Sequence, residues 1–405
     1  IFLPLSGKMA ERMNSIIQQL RRLNLPILAA MFALLGIGVV FIYSATYNMS
    51  GQEGMRLYEK QIGWAVIGFV CFMCFALTDY HRLTRSAWWL YVAGLIFLVL
   101  IFVPHVGLKM YGATRWLQLG GIRLFQPAEL MKIAFVILLA SLLGYPGRNV
   151  RRWRYSIIGM VVALLPTVLI IKQPDLGTAM IFFPVLLGMM FAAGVPGKVI
   201  ASFLITGGLI VIFVIAVILL PPRFGLPEQD HKQLLMRGGI SSYQRERILV
   251  FFDSRRDPLG SGWNKAQSRI AVGSGGLLGK GFLKGTQNIL GFLPRPVAPT
   301  DFVFSVIAEE KGFTGALTIL VLFGILLYGG LQAAAAACDK MGRLLCVGLM
   351  TMIFCHIFIN IAMTVGLVPI TGIPLPFISY GGTFMISTMS ALGMVQSVYI
   401  RRDWK

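Results

Sequence analysis

The residues of this 405-residue chain with the most chemical potential are a few charged groups set against long apolar stretches. Asp301 stands in Pro299-Thr300-Asp301-Phe302-Val303-Phe304, at the mouth of one such stretch. Glu309 and Glu310 follow two turns deeper, a costly pair if both face lipid. Asp175 sits in Lys172-Gln173-Pro174-Asp175-Leu176-Gly177, which interrupts what would otherwise be one apolar run. In Gln126-Pro127-Ala128-Glu129-Leu130-Met131-Lys132, the proline suits a first helical turn, so Glu129 and Lys132 share one face. Charged groups at membrane depth are expensive and by default mark function. Each also has a plainer reading. Asp175, and Thr300 or Asp301, can cap helices, and Glu129 with Lys132 can be an internal ion pair.

Other chemistries find little support. Cys71 and Cys74 form a C-x-x-C inside an apolar stretch with no second ligand pair, and the histidines at 81, 105, 231 and 356 are scattered. The run Gly273-Ser274-Gly275-Gly276-Leu277-Leu278-Gly279-Lys280-Gly281 misses the spacing of a phosphate-binding P-loop, and Gly281 stands where a magnesium-binding hydroxyl is needed. It reads as a flexible outer loop.

The elements that must position these residues are membrane helices. The chain is 57% hydrophobic and only 13% charged, too little charge to wet the surface of a soluble domain of this size. Apolar runs of about eighteen residues or more, each enough to span a hydrocarbon core, recur from end to end. The expected fold is an all-α polytopic membrane protein of about ten transmembrane helices, with a large extracytoplasmic loop at 221–300 between the seventh and eighth. Residues 26–400 form one transmembrane domain, and 1–25 form an N-terminal segment. In that segment residues 1–8 read as a cloning remnant before a native start near Met9, followed by an interfacial amphipathic helix.

Net charge is +20, but the cations lie in loops between spans and not along one stripe, which argues against nucleic acid. Short loops carrying Arg82 and Arg85, Arg148 to Arg154, Lys198, and Lys340 with Arg343 fall on one side; the long loop 221–300 is also basic and falls on the other, but long loops translocate largely regardless of charge. The positive-inside rule makes the short basic loops cytoplasmic, with both termini inside. Arg115-Trp116, Gln126 to Lys132, Asp175, Asp301 and Ser379-Tyr380-Gly381-Gly382 then all face the outer side. Polar groups converging from several loops on one face are what a site requires.

These residues carry a resemblance. The segment Asn360-x5-Gly366-Leu367-x-Pro369-x-x-Gly372-Ile373-x3-Phe377-Ile378-Ser379-Tyr380-Gly381-Gly382-Thr383 resembles the signature of the SEDS family (shape, elongation, division and sporulation). Gly112-Ala113-Thr114-Arg115-Trp116, Gln126-Pro127-Ala128-Glu129, Gln173-Pro174-Asp175-Leu176-Gly177 and Thr300-Asp301-Phe302 match it in family order, over nearly the whole chain from about residue 27. The stretch 273–281 with Gly285-Thr286-Gln287, and the short tail, resemble the elongation-type member more than the division type.

The resemblance implies a glycosyltransferase of the bacterial cytoplasmic membrane that polymerises lipid II, a disaccharide-peptide on undecaprenyl diphosphate, into β-1,4 glycan. It implies Asp301 as the essential aspartate, acting as general base on the acceptor hydroxyl. Arg115, Arg245 and Arg247 would stabilise the diphosphate, and Trp116 would offer a flat face to sugar or lipid. Glu129, Lys132, Asp175, Ser379 and Tyr380 complete the candidate substrate site. The implied partners are a class B penicillin-binding transpeptidase and other elongation-complex membrane proteins. No cofactor is required by the motifs, and a divalent cation is left open.

The family usually reads Phe-Leu-Pro-Glu-x-His-Thr-Asp before the aspartate. Here Phe292-Leu293-Pro294-Arg295-Pro296-Val297-Ala298-Pro299-Thr300-Asp301 is two residues longer and lacks that Glu and His. A division-type polymerase and a flippase for the same precursor are the competing readings. No inverted repeat is visible to favour transport.

The charge pattern makes a direct prediction. In a chain cleared of native cysteines, cysteines at Thr286 and Thr300 should react with an impermeant thiol reagent in intact spheroplasts, and one at Asn149 only after lysis. A reversed pattern would put Asp301 on the cytoplasmic side and end the case for outer-face polymerisation.

Overall fold

The computed structural model describes residues 14, 16–47, 56–110, 113–147, 150, 152–219, 228–237, 241–258, 260–294 and 296–403. The expected remnant at 1–8 and start near Met9 lie outside the described residues. Residues 16–21 are helical with Ile16, Ile17 and Leu20 exposed, as an interfacial helix would have them.

Ten apolar helices follow among the described residues. They are α1 (Leu25–Thr46), α2 (Leu57–Leu77), α4 (Ala87–Leu100), α5 (Pro127–Gly144), α6 (Trp153–Lys172), α7 (Leu176–Ala193), α8 (Gly197–Leu219), α13 (Val303–Ala336), α14 (Lys340–Val365) and α15 (Gly382–Ile400). A short helix, α3 (Tyr80–Arg85), precedes α4. All of the ten but α4 are long enough by themselves to cross a bilayer. Their ends follow local rules. Asn24 caps α1 by accepting from the Ile27 N–H, and Gly194 and Gly366 end α7 and α14 at φ +84° and +87°.

Contacts sort the helix ends onto two faces. On one, Arg22 pairs with Asp403 at 3.5 Å, Tyr80 donates to Asp339 at 2.7 Å, and Arg401 reaches the carbonyls at the end of α2. On the other, Ser44 meets Glu310, Gln173 donates to the Leu98 carbonyl, and Gln126 donates to Asp175. The Leu98 bond shows that α4 connects the faces despite its length. The first and last apolar helices therefore begin and end on the same face, as an even number of crossings requires.

Helices α5, α14 and α15 are buried almost all round, whereas α8 is exposed almost all round and must face lipid. Helices α2 and α15 pack closely because Gly393 lacks a side chain, and a Cβ there would sit 2.4 Å from the Phe72 carbonyl oxygen.

Three features depart from the expected all-helical loops. Strands β1 (Gly107–Met110), β2 (Ala113–Leu119) and β3 (Ile122–Arg123) form an antiparallel sheet between α4 and α5. Its strands are short and turn on Gly120-Gly121, so period-2 alternation had too few residues to register. The loop between α8 and α13 carries α9 (Glu228–Arg237), α10 (Ser242–Phe252), α11 (Ser261–Ser274) and α12 (Thr286–Ile289). The glycine-rich 273–281 segment is no free loop; it is hydrogen-bonded into α13.

Arg401 is 4% exposed and donates to the carbonyls of Ala76 and Leu77 and to Ser397. Arg401→Met strands those acceptors, at about 1–3 kcal/mol each. Its unfolding midpoint in detergent should fall, and an unchanged midpoint would show that water serves them equally well.

Candidate active site

Asp301 ends a run of tight turns. The Val297 carbonyl accepts from the N–H groups of Thr300 (3.3 Å), Asp301 (2.9 Å) and Phe302 (3.2 Å). The N-cap of α13 is Phe302, with no side-chain capping bond, so Asp301 is not spent as a cap. Its backbone is pinned by Asn360, whose Nδ2 donates to the carbonyls of Asp301 (3.0 Å) and Ile373 (2.7 Å). The carboxylate is half-buried and opens toward Gly372, where φ is +71°. A side-chain carbon there would lie 3.2 Å from Asp301 Oδ2 and 3.9 Å from the Arg247 guanidinium nitrogens, so glycine keeps this space free.

Arg247, on α10, donates to the Ile370 carbonyl, which fixes its head beside that space. Burial pushes the Asp301 carboxyl above its usual range, against the pull of Arg247, the Thr300 hydrogen bond and Arg115, with Asp175 adding to the rise. Arg115, on β2, donates to the Pro174 carbonyl at 2.7 Å and stands 3.7 Å from Asp175. Asp175 caps α7 through the Thr178 N–H (3.3 Å), takes the Thr178 hydroxyl (2.9 Å), and accepts from Gln126 (3.2 Å). Its capping role and its place in the charged cluster are both realised. An open cavity of about 390 Å³ lies alongside, lined by Phe102, Thr114, Lys172 and Pro174 among others.

Other candidates are placed differently. Glu129 and Lys132 form a sealed ion pair at 2.9 Å, and a Ser387 hydroxyl donates to the other Glu129 oxygen. Lys132 Nζ also lies 2.6 Å from His356 Nε2, while His356 Nδ1 is 2.7 Å from the Met352 carbonyl. A carbonyl only accepts and an ammonium only donates, so the imidazole is neutral with its proton on Nδ1. The pair thus braces the helices internally, with α14 and α15 supplying its other partners.

Ser379 is likewise turned inward. It accepts from the Leu375 N–H at 2.8 Å, and its carbonyl accepts from buried Gln61. Tyr380 donates its N–H to the Pro299 carbonyl at 2.9 Å, which ties the signature segment to the turn before Asp301. Trp116 has one face covered by Arg123, 3.1 Å from the ring centre, so it cannot offer both faces to a sugar. Arg245 is 5% exposed. Gly372, His356 and Arg123 were not singled out from the sequence. Only His356, an ionisable group at membrane depth, gave a usable signal. Among the described residues no three His, Cys, Asp or Glu side chains converge on a metal-sized space.

The fold and this cluster define a multi-pass helical membrane protein with a charged site at one face of the bilayer. A family model described as "Cell cycle protein", covering FtsW, RodA and SpoVE, matches residues 25–403. The peptidoglycan glycosyltransferase MrdB of Escherichia coli (strain K12) is 36% identical over 90% of this chain and 91% of its own length. The peptidoglycan glycosyltransferase RodA of Treponema pallidum (strain Nichols) is 34% identical over 93% and 97%. A chain solved in work on how a peptidoglycan synthase complex coordinates polymerization and crosslinking matches with TM-score 0.71 at 27% identity, over 94% of this chain and 98% of that one. The chain belongs to the FtsW/RodA/SpoVE family.

Glu129→Gln or Lys132→Met alone leaves an uncompensated buried charge and should cost about 3–5 kcal/mol. The double change Glu129→Leu/Lys132→Met should recover much of the loss in a detergent unfolding assay. A double variant no better folded than the worse single would show the two charges are uncoupled.

Proposed function

We propose that this protein is a peptidoglycan glycosyltransferase of the elongation type, polymerising lipid II at the outer face of the bacterial cytoplasmic membrane. One observation carries the reading beyond family membership. A carboxylate not spent as a cap, Asp301, shares an open space with Arg247, and Arg115 stands close enough to act on its charge.

In the proposed reaction, the Asp301 carboxylate takes the proton of the acceptor sugar 4-hydroxyl as that oxygen attacks the anomeric carbon of the donor. The bond from that carbon to the diphosphate oxygen breaks on the opposite side, giving a β-1,4 link and a free undecaprenyl diphosphate. Arg247 and Arg115, and with them Arg245 of α10, stabilise the negative charge growing on the leaving diphosphate. Guanidinium groups suit this because they stay charged and match phosphate geometry.

A class B penicillin-binding transpeptidase is the proposed partner, because the solved chain of the same fold comes from a complex coupling polymerization to crosslinking. Other elongation-complex membrane proteins would assemble around the pair. Both termini are assigned to the cytoplasm from the loop charges.

Asp301→Asn preserves shape but not basicity, so glycan strands on gels should fall by about 10²–10⁴-fold while the unfolding midpoint and partner binding hold. In the wild type, a carboxyl raised by burial places the acid limb of the pH–rate profile above the ordinary carboxylate range. Near-normal polymer from Asp301→Asn would leave Asp301 a structural residue.

A further inference from the structure

Two carboxylates in α13 take no part in the proposed chemistry. Glu309 and Glu310 are each 1% exposed, and the helix breaks just beyond them at Gly312, with φ +64° and ψ −156°. In an unbroken helix the carbonyls of Glu309 and Glu310 would accept from the N–H groups of Phe313 and Thr314. Here they accept from the Lys280 and Gly281 N–H groups, both at 3.0 Å. Phe313 and Thr314 donate instead to the carbonyls of Gly276 (2.8 Å) and Leu277 (3.1 Å). The glycine-rich segment is inserted into the helix and replaces two of its rungs.

Glycine is required for that approach. A Cβ on Gly275 would lie 2.0 Å from the Ala308 carbonyl oxygen, and one on Gly279 would lie 2.2 Å from that of Glu310. Side chains then lock the insert. Glu309 Oε1 accepts from Lys280 Nζ (2.6 Å), the Thr286 hydroxyl (3.0 Å) and the Gln287 N–H (3.0 Å). Glu310 accepts from the Ser44 hydroxyl (2.5 Å) and the Leu283 N–H (3.2 Å), which brings in the end of α1.

The break also divides the helix by task. Residues 313–336 alone reach about 36 Å at 1.5 Å per residue, enough for a hydrocarbon core of about 30 Å. Residues 303–311 are a separate short piece above it, with Asp301 two residues before their start. That piece is held laterally by Ser305, whose hydroxyl lies 2.7 Å from that of Ser268 on α11. Its angle to the spanning part depends on what fills the break.

We infer that Glu309 and Lys280 are positioning residues: their ion pair seats the 275–281 loop in the break of α13 and so sets where Asp301 stands over the membrane-spanning helix. The inference rests on the reading of Asp301 as the base. Displacing a reacting group by about 1 Å can cost about 10²-fold in rate without weakening substrate binding.

The test uses the full chain with its transpeptidase partner and labelled lipid II at varied concentration. Glu309→Gln and Lys280→Met should each lower kcat about tenfold or more with KM unchanged, and the double variant should be no worse than either alone. Lys280→Arg keeps the charge and should stay within about twofold of wild type. Hydrogen exchange should show the amides of Lys280, Gly281, Phe313 and Thr314 losing protection in the two single variants and keeping it in Lys280→Arg. If Glu309→Gln fails to fold, Lys280→Met decides alone, since its side chain is 26% exposed. Unchanged kcat in a wild-type background that polymerises, with Asp301→Asn inactive, would overturn the clamp. So would a loss matched by the folded fraction. A polymerising Asp301→Asn would instead overturn the functional reading, while the exchange measurement still reports the seat without turnover.

Discussion

Inside a hydrocarbon layer every charge and every open backbone hydrogen bond must be answered by the same protein, because no water is there to answer it. Much of this structure follows from that constraint. Lys132 is held between Glu129 and a neutral His356, and Glu129 takes Ser387 as well. Where α13 breaks, the Glu309 and Glu310 carbonyls and the Phe313 and Thr314 N–H groups are taken by one inserted loop. Where α2 ends, Arg401 reaches across from α15 to its last carbonyls. Apart from the Glu129–Lys132 pair itself, these answers come from other elements of the chain, so supplying them also fixes how the helices stand together.

The same constraint separates the two kinds of charge in the molecule. Glu129, Lys132, Glu309 and Glu310 are enclosed and each is paired or hydrogen-bonded within the protein. Asp301 is different in kind. It caps no helix, and it lies against a space that Gly372 keeps free beside a guanidinium. A group left with spare hydrogen-bonding capacity next to fixed cations is a better candidate for proton transfer than a group whose capacity is spent.

The spans were legible because apolar length is a strong signal, and the caps at Asn24 and Asp175 sit where short polar residues precede apolar runs. Asp301 was legible from its motif. Other features were not. Whether Glu129 and Lys132 serve a site or each other depends on His356, 224 residues away from Lys132, and no local pattern encodes that distance. The loop at 273–281 looked flexible because glycine is permissive. Here the glycines serve close approach, at Gly275 and Gly279, and only the position of the break in α13 reveals it. The β-sheet was too short to show a period, and Ser379 looked available only because its partner, the Leu375 N–H, is a backbone group.

The turn before Asp301 shows how backbone can stand in for side chains. Family members usually carry Glu and His there, and this chain has neither. The segment is two residues longer, and the added length closes on itself. The Pro294 carbonyl accepts from Val297 (3.1 Å) and Ala298 (3.0 Å), the Val297 carbonyl accepts from three successive N–H groups, and the Pro299 carbonyl accepts from Tyr380. Prolines at 294, 296 and 299 reduce the freedom the turn would otherwise lose on ordering. Asp301 is therefore located by main-chain bonds and by Asn360, none of which needs the missing acid or imidazole. Arg247, Arg115 and Asp175 stand close enough to act on the charge of Asp301, so the groups around it come from α10, β2 and the start of α7 instead of from its own turn.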